Sequence, residues 1–390
     1  MSTSAAELLD DALPGPLQPL EIAARSPLEL FWRRLKHDKV ALMALAFIGL
    51  LILIAIFAGP LVRLFGAHPP NQQNSKVLIL PFGTAAPPSG DYLFGTDGLG
   101  RDVFSRTLFG ARVSLLVAFV ATALIVLIGV TLGMIAGYYR GGIDSFLSRS
   151  MDVMLAFPVL LLALGLGAAC ALQGCLRTDA VGRSFVIVGV LMMLLPVALA
   201  GLSQARGKVG FKAVTRGDWM LRLAPGAIIL LAGIVLSLIS GTKKTLIEPG
   251  LPVVIFVIVL SGWPYIARLI RGQVLSLREK EFVEAARSLG ASDGRIIFRH
   301  ILPNLVAPII VYMTLLIPTN ILFEAALSFL GVGVQPPTAS WGAMIADAVS
   351  TFSSAWWYML FPGIALVLTV LAFNLVGDGL QDALNPKTGR

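Results

Sequence analysis

Eight uncharged apolar runs set the pattern of the chain, at Val40 to Val62, Val113 to Tyr139, Val153 to Leu176, Ser184 to Ala205, Leu223 to Thr242, Pro249 to Ala267, Leu302 to Phe323 and Ala355 to Gly377. A helix rises about 1.5 Å per residue, so roughly 20 such residues cover the ~30 Å of hydrocarbon in a bilayer. Backbone amides in lipid must be paired internally, and none of these runs has the alternation of a barrel strand, so each is predicted to be a helix. The sixth run, interrupted by Pro252, is the weakest of the eight. The expected fold class is all-α: a polytopic membrane helix bundle of about eight transmembrane helices.

Composition agrees with that pattern. The 390 residues are 56% hydrophobic and 13% charged, with a mean hydropathy of +0.84, values outside the range of soluble domains. Residues 1 to 30 are polar and acidic-rich and the first run is too long for a signal-peptide core, so it is expected to be a retained span. The net charge of +8 is explained by topology rather than by a nucleic-acid partner, which is not expected. Arg33, Arg34, Lys36 and Lys39 precede the first span and place the N-terminus, and with eight spans the C-terminus, in the cytoplasm of a cell (inner or plasma) membrane. The clusters Arg206 to Arg222 and Arg268 to Arg299 then fall on the same side, while Glu324 to Ser354 carries no Lys or Arg.

The chain thus divides into a cytoplasmic tail (1–39), a first span (40–62), a Pro- and Gly-rich external loop (63–112), two core portions (113–172 and 251–385) around a middle segment (173–250), and a short tail (386–390). Within the external loop, Asp97 and Asp102 can cap helix starts. Gly129, Gly133 and Gly137 align small residues on one face of the second span, for close helix packing or for a moving interface.

Little in the chain points to catalysis. The stretch Gly241-Thr242-Lys243-Lys244-Thr245 lacks the glycine and the Gly-Lys-[Ser/Thr] ending of a phosphate-binding loop, and His37, His68 and His300 are scattered. Cys170 and Cys175 read either as two small apolar residues or as an external disulfide. No catalytic, cofactor or metal site is expected. Span interiors are nearly free of ionisable residues, unlike those of proton-coupled secondary transporters. Glu324, at the outer end of the seventh run, either snorkels to the interface or serves as an outer gate or helix-pairing group.

The most informative stretch is SLREKEFVEAARSLGASDGRIIFRHILPN, from Ser276 to Asn304. Ser276 and Glu279 fit a capping box and Gly290 a left-handed stop, which predicts a cytoplasmic helix over 277–289. Phe282, Ala285 or Ala286, and Leu289 form its apolar face beside charged Lys280, Glu284 and Arg287. So short an amphipathic helix needs a cover for its apolar face, which can be lipid, the chain's own bundle or another protein.

Glu284-Ala285-Ala286, then Gly290, then Leu302-Pro303 resembles the EAA motif of ABC importer permeases. That resemblance implies that this helix docks into a cleft of an ATP-binding subunit. Small Ala285 and Ala286 would let it sink into the groove, and Glu284 would meet a basic group. A second Glu-Ala-Ala, at Glu324 to Ala326, lacks the following Gly and Leu-Pro and is not read as a docking site. FGTDGLGRDVFSRTLFGARVSL, with Gly95, Thr96, Asp97, Gly100, Arg101 and Asp102, and EAALSFLGVGVQPPTASWGAMI resemble the second permease subunit of dipeptide and oligopeptide importers.

The resemblance covers about Leu30 to Leu172 and Leu251 to Asn385. It implies a type I permease fold, a sister permease in a heterodimeric pore, two ATP-binding subunits carrying ATP and Mg, and an external substrate-binding protein, all in contact with membrane lipid. Peptide is the implied cargo, with nickel or another small solute in the same family as the alternative and a stand-alone secondary transporter as the reading from another class. The family has about six spans, so 173–250 reads as an inserted helical pair that leaves both flanks on their original sides. Its basic loop, Arg206 to Arg222, can meet lipid headgroups or an ATP-binding subunit.

Overall fold

The computed structural model describes residues 33, 35–78, 84–165, 175–177, 245–247 and 250–384. Helix α1 (Lys39–Ile56) starts where the Asp38 carboxylate accepts the N–H groups of Val40 and Ala41. Its Ala41, Ala44, Ile48, Leu51 and Ala55 face inward at helical spacing, and Val40, Met43, Leu50 and Leu53 face outward. A short α2 (Ala58–Leu64) follows. Helix α3 (Val103–Tyr138) is 36 residues long and begins at the Asp102 cap, well before the apolar run that announced it. The closing turns of the external loop therefore lead directly into the second span.

The third run is not one straight helix. α4 (Gly142–Ala156) and α5 (Val159–Gly165) meet at a 79° bend, where Pro158 has no N–H to continue the ladder. The fourth and fifth runs, Cys170 and the Arg206 to Arg222 loop lie outside the described residues. Of residues 173–249, β1 (Cys175–Arg177) and β2 (Thr245–Ile247) are described, as an antiparallel pair with Cys175 opposite Ile247.

Helix α6 (Leu251–Leu277) corrects the reading of the sixth run. Pro252 does not interrupt it but sits in its first turn, where a missing N–H costs nothing. α7 (Glu281–Ser288) is followed by α8 (Asp293–Phe329), a 37-residue helix with a π-helical turn at Ile296–Ile301. α9 (Trp341–Ala348) and α10 (Trp356–Leu384) complete the described chain. Among the described residues, α1, α3, α6, α8 and α10 are long and apolar enough to cross a membrane, and the bent α4–α5 pair can be a sixth span.

The most extensive helix–helix contact among the described residues joins α3 to α6. A Cβ on Gly133 would lie 2.6 Å from the Ala267 carbonyl oxygen, and one on Gly129 or Gly137 would lie 2.7 Å from Cβ of Ile266 or Val274. The four-residue glycine repeat thus places two helix backbones in close contact. A second apolar cluster binds α1, α3, α8 and α10 through Ile48, Ala118, Ile321 and Phe373.

Candidate coupling site

At one end of the bundle α7 stands between α6 and α8. It begins at Glu281, four residues later than the capping-box reading, because Ser276 remains inside α6 and Lys280 occupies the cap position without a side-chain bond. Its end is the one the sequence implied. Gly290 has φ +77°, its N–H donates to the Arg287 carbonyl, and the Ala291 N–H donates to the Ala286 carbonyl, both at 3.0 Å. This reciprocal pair closes the helix and turns the chain toward α8.

The apolar residues of α7 divide between two faces. Val283 and Ala286 are buried against a cluster that includes Ile296, Ile297 and Ile301 of the π turn, so this side is covered by the chain's own bundle. Phe282 is 41% exposed and Leu289 88% exposed, on the open side with Glu281, Glu284 and Ala285. Leu302 is partly buried against the same cluster and Pro303 is exposed early in α8, so neither shares the outward face of α7. The structure therefore brings Phe282, Glu284, Ala285, Leu289 and Gly290 together on the exposed side, and separates Ala286, Leu302 and Pro303 from them. Phe298, 68% exposed on the π turn, is a further apolar group at this end that its sequence context did not single out.

The opposite end holds the motif around Asp97. The Asp97 carboxylate accepts the N–H groups of Leu99 and Arg101, each at 2.9 Å, and Nε of Arg101 at 2.6 Å. Asp97 thus closes a turn rather than starting a helix. Gly95 and Gly100 have φ of +74° and +71°, and lie hard against the Trp357 indole and the Asn74 carbonyl, where a side chain would not fit. The Trp357 indole N–H donates to the Thr96 carbonyl, and that of Trp341 to the Thr107 carbonyl. Asp102 caps α3 through Phe104 and Ser105, and its second oxygen accepts the His68 N–H. Burial pushes the Asp102 carboxyl above the usual range, opposed by these N–H donors.

Arg106 is a member of this cluster that the motif reading left unassigned. Its guanidinium donates to the carbonyls of Pro70 and Pro337 and to Asn71, and so ties the loop before α3 to the segment after α8.

Glu324 departs from the snorkelling alternative. It is fully buried, accepting the hydroxyls of Ser114 on α3 and Ser328 on its own helix, each at 2.8 Å. About one turn earlier on α8, the Asn320 amide donates to the Thr122 hydroxyl, making a second polar link between α3 and α8. The serines carry no signal of their own in the sequence, and Ser114 lies 210 positions away from Glu324.

These features define a membrane-embedded helix bundle with a short amphipathic helix free on one side at one end and a hydrogen-bonded cap at the other. Residues 129–390 match the family model described as "Binding-protein-dependent transport system inner membrane component", and residues 26–88 match "N-terminal TM domain of oligopeptide transport permease C". The chain belongs to the family of binding-protein-dependent transport system inner membrane components. It is 37% identical to the dipeptide transport system permease protein DppC of Alkalihalophilus pseudofirmus, over 94% of this chain and 92% of the relative. It is 34% identical to the oligopeptide transport system permease protein OppC of Bacillus subtilis, over 91% and 88% of the two chains. It is also 34% identical to the glutathione transport system permease protein GsiD of Pectobacterium atrosepticum, over 94% and 93%.

Proposed function

We propose that this chain forms half of the translocation pore of an ATP-driven ABC importer for dipeptides and oligopeptides. The other half is a sister permease, two ATP-binding subunits sit on the cytoplasmic side, and an external substrate-binding protein delivers the cargo. ATP and magnesium are bound on the partner subunits, and this chain is not itself a catalyst. Both termini and α7 face the cytoplasm. The cargo reading rests on the relatives, whose names specify dipeptide, oligopeptide and glutathione transport.

The observation that carries the coupling reading is the division of α7. Its inner side is already fixed to the bundle through Val283 and Ala286, while Phe282 and Leu289 remain uncovered beside Glu281 and Glu284. A helix anchored on one side and apolar on the other suits a partner cleft that is apolar at its floor and basic at its rim. When two ATP-binding subunits close on nucleotide, such a helix moves with the cleft and carries the attached spans between inward and outward openings.

The test is ATP-dependent uptake of a labelled dipeptide by cells expressing the complete set of subunits. Replacing Glu284 and Gly290 together by alanine removes the carboxylate and strains the αL turn by about 1 kcal/mol. Uptake should fall at least about tenfold, a factor equivalent to ~1.4 kcal/mol, with the amount of permease in the membrane unchanged. Undiminished uptake would count against the assignment.

A further inference from the structure

α7 is connected through the chain to α6 and α8, yet both connections run into weakened helices. α6 contains Pro264 in its interior, and α8 contains the π turn and then Pro303, Pro308 and Pro318. Each interior proline removes one backbone hydrogen bond, and a π turn interrupts the regular ladder, so these are the places where a long helix bends. α3, by contrast, is 36 residues without a proline and crosses the whole bundle.

The end of α3 holds α7 from both sides. Before α7, the Arg278 guanidinium donates to the Tyr138 carbonyl at 2.6 Å, and Arg140 pairs with Glu279. After it, the Tyr138 hydroxyl donates to the Asp293 carboxylate at 2.7 Å. Tyr138 is buried. The Arg140–Glu279 pair is solvent-exposed on both sides and contributes little.

Some 24 positions earlier, about 36 Å along the axis, the same helix gives the Ser114 hydroxyl to Glu324. Ser328, which donates to the other Glu324 oxygen, accepts the Val334 N–H, so this joint reaches the segment between α8 and α9. Between the two joints, Gly129, Gly133 and Gly137 lock α3 onto α6.

We propose that α3 is the strut through which a displacement of α7 reaches the outer cap, with Tyr138 as the positioning residue at its inner joint and Ser114–Glu324 as its outer one. The proposal rests on the reading of α7 as the docking helix. It makes the second span, and not only the two helices adjoining α7 in sequence, the stiff path between the ATP-binding subunits and the external face. Coupling that follows a contiguous hydrogen-bonded element with two fixed ends is a claim that requires perturbation at each end.

The experiment uses the complete complex in lipid nanodiscs, with three readouts: co-purification of the ATP-binding subunits, basal ATP hydrolysis, and stimulation of hydrolysis by peptide-loaded binding protein. Tyr138→Phe removes only the hydroxyl that reaches Asp293, and Asp293→Ala removes its acceptor at an exposed position. Both variants should keep subunits and basal hydrolysis and lose stimulation at least about fivefold, and the double variant should be no worse than either alone. Asp293→Asn, which keeps an acceptor oxygen, should restore most of the stimulation. At the far joint, Ser114→Ala should reproduce the loss.

If Tyr138→Phe does not assemble, Asp293→Ala reads the same bond. Wild-type stimulation in Asp293→Ala, or a loss in Asp293→Ala that Asp293→Asn shares in full, overturns the proposal. Failure of the docking reading shows separately, as co-purification left intact when Phe282 and Leu289 are both replaced by aspartate.

Discussion

Replacing Phe282 and Leu289 together by aspartate should release the ATP-binding subunits from the complex and abolish ATP-dependent uptake. Both side chains are substantially exposed on α7, so neither contributes much to the fold of the permease. Burying a fully exposed Phe or Leu stabilises by about 1.5–3 kcal/mol, and with Phe282 41% and Leu289 88% exposed the two together make ~2–4 kcal/mol available at a docking cleft. Aspartate at both positions removes that term and adds the desolvation of two carboxylates, so affinity should fall by roughly two to four orders of magnitude. The permease itself should still insert and elute as a single species. Alanine in place of Val283 is the matched comparison. That side chain is buried in the bundle, so its loss should lower permease stability by ~1–3 kcal/mol through a cavity, a defect seen in melting of the permease alone.

Gly133→Leu is expected to disrupt the contact between α3 and α6 and to destabilise the bundle. A Cβ at that position already lies 2.6 Å from the Ala267 carbonyl oxygen and 2.9 Å from the Ile270 Cβ, and the remaining leucine atoms have no room unless α3 and α6 separate. Overpacking of a close interface costs ~1–3 kcal/mol or more, and here the atoms to be displaced are backbone. The expected result is a permease that is degraded in cells, or aggregates on size exclusion in mild detergent. Gly272→Leu on α6 is the control, since a Cβ there meets nothing within 4 Å, and it should leave both yield and melting unchanged. A Gly133→Leu protein with wild-type melting would show that the glycine face is not in contact.

Both outcomes concern features that local pattern revealed. The glycine repeat at four-residue spacing has one physical reading on a helix, a flat face, and the structure supplies Ile266, Ala267 and Val274 as the groups that use it. The turn at Gly290 was legible for the same reason, because a left-handed residue after a short amphipathic helix is decided by its immediate neighbours. What was not legible depended on distant partners or on helix rotation. Phe282 and Val283 are both apolar and adjacent, and only the position of the π-turn isoleucines decides that Val283 turns inward.

The N-terminal boundary of α7 shows the same limit. Ser276 and Glu279 have the spacing of a capping box, yet α6 continues through Leu277, and Arg278 and Glu279 reach across to the end of α3. Glu324 lies in the last turns of α8, but its burial depends on Ser114, a residue on another helix, and so is not visible from its own run. Pro252 reads as a break from its place in the apolar run alone, whereas in the first turn of α6 it is harmless.

Docking through α7 requires its outward face to lie in the cytoplasm under a protein cover. Leu289→Cys, in a background with Cys170→Ser and Cys175→Ser, reports on both points through labelling by a membrane-impermeant maleimide. In inside-out vesicles the thiol should react rapidly when the permeases are expressed without the ATP-binding subunits, at least about tenfold more slowly when those subunits are present, and not at all from the outside of intact cells. Labelling from the outside, or an equal rate with and without the ATP-binding subunits, would contradict it.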